Sequence, residues 1–211
     1  MSTQIDQFIH QHLPAASAMP QLIFERPELQ FREQLNAVVE LLDRRVAAGH
    51  GARILLRDAR DALTYAQVLD RVNQFGRVLI EDMQLVTGNR VLLRGGNSIA
   101  MAIAWLAVVK VGLIAVATMP MLRARELTDV IHKGRISHAL CVDALTEELF
   151  LAQQQCPVLT NITTLESLQR IAASKSTDCP AAQTTHDDLA LMAFTSGTTG
   201  TPKAALHTHR D

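Results

Sequence analysis

From Ile99 to Met119 the chain carries a single charge, Lys110, and this run decides whether it folds in lipid or in water. The run is long enough to cross a bilayer. Gly112 divides it, however. Ser98 to Val111 reads as a buried helix, Gly112 takes the place of a helix C-cap, and Leu113 to Ala117 reads as a buried strand, with the β-branched residues clustered after the glycine. A spanning helix would also hold Lys110 at mid-membrane, at about 2.5–3.5 kcal/mol. The helix–strand reading prevails, and no membrane span is expected.

The rest of the composition agrees with a globular chain. Of 211 residues 48% are hydrophobic and 19% charged, which excludes disorder as the overall state. A net charge of −1 and 4% aromatic residues supply neither the basic field nor the stacking platforms of a nucleic-acid binder. Cys141, Cys156 and Cys179 are odd in number and share no metal-like spacing, so a reducing, cytoplasmic setting is expected. The amino terminus lacks the pattern of a secretory signal.

Residues 1–34 read as an irregular lead-in, because Pro14, Pro20 and Pro27 break any periodicity. From residue 35 to 211 strands and helices alternate. Leu35, Val38, Val39, Leu42 and Val46 share one helical face. Ile54–Leu56 is a short strand, and Thr64 with Gln67 has capping-box spacing ahead of the stripe Val68, Leu69, Val72, Phe75, Leu79 and Met83. Further strands are expected at Arg90–Leu93, His138–Val142 and Leu189–Phe194, and helices at Arg125–His132, Leu145–Gln155 and Leu165–Ala173. Leu189–Phe194 is apolar without alternation, as a strand covered on both faces requires. The expected class is α/β: a layered fold with a mainly parallel sheet flanked by helices.

Directly after that strand stands Thr195-Ser-Gly-Thr-Thr-Gly-Thr-Pro-Lys203. Gly197 and Gly200 let backbone amides approach a ligand closely. Thr195, Ser196, Thr198 and Thr199 add hydroxyl donors, and Lys203 adds a cation. Such a loop at the carboxyl end of a strand suits a polyphosphate. A flexible Thr/Gly surface loop explains the strand context, the paired glycines and the terminal Pro-Lys less well. The P-loop of NTPases fails on spacing, and Ala204 stands where its magnesium-binding hydroxyl would be.

Phe194 to Lys203 resembles the signature phosphate loop of the adenylate-forming enzymes, which include acyl-CoA synthetases, peptide-synthetase adenylation domains and luciferases. Leu63-Thr-Tyr-Ala, Gly88-Asn-Arg-Val, Asn97, Ala107-Val-Val-Lys-Val-Gly112 and Asp188-Leu-Ala-Leu match as well. Pro27-Glu-Leu-Gln-Phe31, Leu35-Asn36 and Glu40-Leu-Leu-Asp43 resemble the lead-in of ligases acting on benzoate or 2-aminobenzoate. The resemblance implies ATP with Mg2+, a carboxylic acid and CoA as reactants. It makes Thr195, Ser196, Gly197, Thr198, Thr199, Gly200 and Lys203 the phosphate-binding residues, with no protein-held metal. It also implies that residues 35–211 are an incomplete, N-terminal part of the family's large domain, ending just after the phosphate loop and without turnover by themselves.

Two departures stand out. Asn89 replaces the usual Asp, and Ala204 replaces the usual Gly, which would strain the chain by about 1–2 kcal/mol if that position needed positive φ. Lone His207-Thr-His209 is a weak metal motif. Arg123, Arg125 and Arg135 read as solvated helix charges in preference to a basic rim for CoA phosphates. Trp105 reads as core, and Cys141 as an inert buried thiol. Two functions stay open: the nucleotide-phosphate half of an acid–CoA ligase, or a catalytically inactive domain serving as a nucleotide- or protein-binding module. An uncovered apolar face would favour self-association.

Overall fold

The computed structural model describes residues 2–19, 21, 23–195 and 202–211. A short helix α1 (Phe8–Gln11) lies in the lead-in. A small antiparallel ribbon follows, β1 (Ile54–Arg57) with β2 (Ala62–Thr64). The chain then builds α2 (Tyr65–Arg77), β3 (Arg90–Arg94), α3 (Ile99–Lys110), β4 (Ile114–Thr118), α4 (Ala124–Gly134) and β5 (His138–Cys141). It continues with α5 (Thr146–Gln153), β6 (Asn161–Thr164), α6 (Leu165–Ala172), β7 (Leu189–Thr195) and β8 (Lys203–Thr208). Six strands form one sheet in the order β6-β5-β3-β4-β7-β8, parallel throughout except for the β7–β8 hairpin at one edge.

Each face of this sheet is buried, as the uninterrupted apolar strands require. Val91, Leu93, Ala115, Leu140 and Ala190 pack with α2, α3 and α6 on one side. Leu92, Ile114, Val116, Ala139, Cys141 and Met192 pack with α4 and α5 on the other. The apolar run is thus a helix and a strand buried in this core. Gly112 has φ 76°, and a Cβ there would stand 2.7 Å from Thr87 Cγ2 and 2.8 Å from Ala182 Cβ. A helix stop in the left-handed region, closely overlaid by other chain, admits only glycine. Among the described residues no helix is long and apolar enough to cross a membrane.

The capping box forms as expected. The Gln67 amide donates to Thr64 Oγ1 at 3.3 Å, and the Thr64 amide donates to Gln67 Oε1 at 2.9 Å. The first expected helix departs from its pattern. Residues 37–50 are helical apart from a kink at Gly49 (φ 85°), and Val39–Asp43 and Val46–His50 are wide π turns. Leu35, Val38 and Leu42 are buried and Val39 is half-buried; a π turn rotates the face that follows it, and Val46, past the first one, is only half-buried. Three strands escape a reading by apolar runs. β2 pairs within a hairpin, β6 is the polar Asn-Ile-Thr-Thr, and β8 is Lys-Ala-Ala-Leu-His-Thr, extended because β7 supplies its partners. Ala204 pairs with Phe194 inside β8 and has no positive φ, so the strain anticipated there does not arise.

Candidate functional site

β7 ends at Thr195 and β8 begins at Lys203, and these residues face each other as the last pair of the hairpin ladder. The Thr195 hydroxyl donates to the Lys203 carbonyl at 3.5 Å. The intervening loop is therefore tied at both ends. It leaves the carboxyl end of β7, which runs parallel to β4, so it shares the sheet end at which α/β folds gather ligands. Thr195 and Lys203 are both exposed. Ser196, Gly197, Thr198, Thr199 and Gly200, the other residues expected to take phosphate, lie outside the described residues.

A second cation reaches this loop. Lys133, in the last turn of α4, donates from Nζ to the Pro202 carbonyl at 2.7 Å. No local motif links Lys133 to a loop 69 residues away; the packing of α4 against Met192 of β7 brings them together. Below Lys203 and Lys133 opens a hollow of about 530 Å3 walled by Phe8, Ile9, Met192, Phe194 and Leu206.

The strand ends beside β7 frame a larger cleft, about 640 Å3, between Leu93, Met101, Trp105, Ala117 and Met119, with Asn97, Ser98 and Thr118 as its polar members. Ser98 caps α3 by accepting from the Met101 amide at 3.2 Å. One wall is set by Arg94, which is buried at the end of β3. Its guanidinium donates to the carbonyls of Met119 (3.1 Å), Pro120 (2.9 Å), Leu122 (2.7 Å) and Leu145 (3.2 Å). The planar fork of five donors suits this task, for which an ammonium has too few directions. Burial lowers the Arg94 pKa. Trp105 is accordingly half-buried at a cleft wall as well as a core neighbour.

The remaining candidates take structural places. His207 is exposed on β8, whereas His209 is buried and its Nδ1 accepts from the Ala37 amide at 3.1 Å. That bond sets the tautomer with the proton on Nε2. Burial pushes the His209 pKa down to about 4, against the opposing charge of Asp188. Arg123 stands at the start of α4 and pairs with Glu148 at 2.9 Å, while Arg135 stands just past its end. The arginines therefore form no common rim. Burial pushes the Cys141 thiol up to about 11, which keeps it protonated and inert at neutral pH.

Solved structures share this fold. The anthranilate CoA ligase AuaEII in complex with anthranoyl-AMP superimposes with a TM-score of 0.80 at 23% identity, over 85% of this chain and 35% of that one. ATP-bound MatB from Rhodopseudomonas palustris gives a TM-score of 0.74 at 24% identity, over 83% and 35%. The architecture is that of the N-terminal part of the adenylate-forming enzymes. In sequence, the chain is 28% identical over 196 residues to a benzoate–CoA ligase of Thauera aromatica, covering 88% of this chain and 36% of that protein. It is 27% identical over 199 residues to the uncharacterized acyl–CoA ligase YtcI of Bacillus subtilis, with 89% and 36% covered. The AMP-binding enzyme family model matches residues 42–211, and the chain belongs to that family. It spans about 36% of the length of these relatives.

Proposed function

We propose that this chain supplies the phosphate-gripping part of an ATP-dependent acid–CoA ligase. In that reaction an oxygen of the substrate carboxylate attacks the α-phosphorus of ATP, and the bond to the β-phosphate bridge breaks. Acyl-adenylate and pyrophosphate form. The thiol sulfur of CoA then attacks the acyl carbon and AMP leaves. The observation that carries the reading is the tied hairpin loop of Thr, Ser and Gly, ending in an exposed lysine at the carboxyl rim of a parallel sheet, in a chain of the AMP-binding family.

Within that loop we assign hydroxyl and amide donation to Thr195, Ser196, Thr198 and Thr199, and close backbone approach to Gly197 and Gly200. Lys203 balances the charge of the departing pyrophosphate. The contribution is positioning and fixed electrostatics, with no covalent step on the protein. Mg2+ arrives with the nucleotide. An aromatic acid is the proposed substrate class, because benzoate and anthranilate ligases stand among the relatives and structural neighbours.

The reading is tested by calorimetric titration of the chain with MgATP and with AMP. Only ATP reaches the loop with its β- and γ-phosphates, so ATP binds more tightly, and Lys203→Ala removes about tenfold of that preference. Equal affinities in the unaltered chain, or an ATP preference untouched by Lys203→Ala, would overturn it.

A further inference from the structure

The lead-in is docked along the sheet, and its contacts converge on the strand that carries the loop. Asp188, the residue before β7, is fully buried. Its carboxylate accepts from Ser2 Oγ at 2.6 Å, the Thr3 amide at 3.1 Å, Thr3 Oγ1 at 2.6 Å and the Thr185 amide at 2.8 Å. Gln4, also buried, donates from Nε2 to the carbonyl of Leu189, the first residue of β7, at 2.7 Å.

Further along, the strap is bolted to the turn before β3. The Asp6 amide donates to the Thr87 carbonyl at 2.9 Å, and the Ile5 amide to Thr87 Oγ1 at 3.0 Å. The Asp6 carboxylate accepts from Asn89 Nδ2 at 2.8 Å and pairs with the buried Arg90. Gly88 has φ 88°, and a Cβ on it would meet the Asp6 carbonyl at 2.5 Å, so the strap lies directly on this turn. Asn89 does two things that an aspartate could not do together. Its Oδ1 accepts from the Val86 amide at 3.0 Å while its amide donates to Asp6. A carboxylate there would face another carboxylate.

β7 registers with β4 at one pair, Ala115 with Leu191, and its ladder with β8 slips between Leu189 and Leu191. That irregular stretch of β7 is the place where Gln4 and Asp188 engage the strap. We propose that residues 2–6 are a clamp that fixes the position of the β7–β8 hairpin, and with it the strand ends Thr195 and Lys203 that frame the loop. Thr3, Gln4 and Asp188 are positioning residues. The clamp stands on geometry alone, whether or not the loop binds nucleotide.

Hydrogen exchange of the whole chain, read by mass spectrometry, tests it with two variants at opposite ends of the strap. Gln4→Ala removes the bond to Leu189. Asn89→Asp sets a carboxylate against Asp6 without touching β7. Both are mild enough to leave the core intact. Each is expected to speed exchange in 189–195 and 203–208 by about tenfold, the equivalent of one lost hydrogen bond in a local opening, while β5 and β6 stay unchanged. Exchange that rises equally in all strands would mean a merely structural segment and overturns the clamp. So does Asn89→Asp loosening residues 2–6 while 189–195 keep their protection.

Discussion

Replacing Asp43 with alanine should cost this fold far more than replacing its partner. Lys110 is 1% exposed, and its Nζ donates to Asp43 Oδ1 at 2.6 Å; the Asp43 side chain is 32% exposed. Without Asp43 the ammonium stays buried and unpaired, a loss of about 4 kcal/mol. Without Lys110, as in Lys110→Met, the carboxylate left behind belongs to a side chain 32% exposed, so it is less enclosed than the ammonium although its Oδ2 is buried. The methionine takes the buried place of the lysine stem, so the loss is about 1 kcal/mol. The double variant Asp43→Leu/Lys110→Met should return to within about 1 kcal/mol of the unaltered chain, since an apolar pair of similar volume replaces a buried ion pair at little cost. Urea unfolding followed by fluorescence of Trp105, the one tryptophan, which sits on α3 with Lys110, reads these differences. With a slope of about 2 kcal/mol per molar urea, the midpoint falls by about 2 M for Asp43→Ala and about 0.5 M for Lys110→Met. Equal shifts for the two single variants would refute the reasoning, because they would show that burial of the ammonium sets no asymmetry.

Arg94→Met leaves four carbonyls without their shared donor and should lower stability by about 4 kcal/mol, with Arg94→Lys intermediate, as read by the same urea midpoint. Stability should fall with acid in two steps. His209 has its folded pKa depressed from 6.5 to about 4, so the unfolded chain takes up its proton first; stability present above pH 6.5 is lost on the way down to about pH 4. That loss is on the order of 3 kcal/mol, and His209→Asn, which keeps an acceptor for the Ala37 amide, removes it. For Asp6 and Asp188 burial acts to raise the pKa but is outweighed. Phe8 and Arg90 hold Asp6 below 3.8, and Ser2, Thr185 and Thr3 hold Asp188 below it. Their stabilisation is present above 3.8 and is lost as pH falls through the folded values, giving a second step that Asp188→Asn should flatten.

Where the instruction is local, the amino-acid order was enough. Thr64 and Gln67 cap α2 because they stand three apart, and Gly112 stops α3 because only glycine tolerates its φ among close neighbours. The unalternated strands state that both sheet faces are covered, and the apolar run that ends at Phe194 places Thr195 at a strand end. The widened turns in 37–50 broke a 3.6-residue pattern that the sequence alone gave no reason to doubt. β8 is a strand because of β7, since Lys-Ala-Ala-Leu-His-Thr has little strand preference of its own.

Pairings across long separations were decided only by the folded chain. Lys110 looked like an obstacle to a membrane span, and only packing shows that its charge is answered by Asp43, 67 positions away. Arg94 finds its four carbonyls, and Lys133 the loop's Pro202, through crossovers that carry no sequence signal. Ser2 and Thr3, in a lead-in that reads as irregular, reach Asp188 some 185 residues on. Capping, turn chemistry and periodicity act over a few residues, so they are written in consecutive letters. The partner of a buried charge is chosen by which chain segments close on one another, and that choice exists only once the sheet has formed.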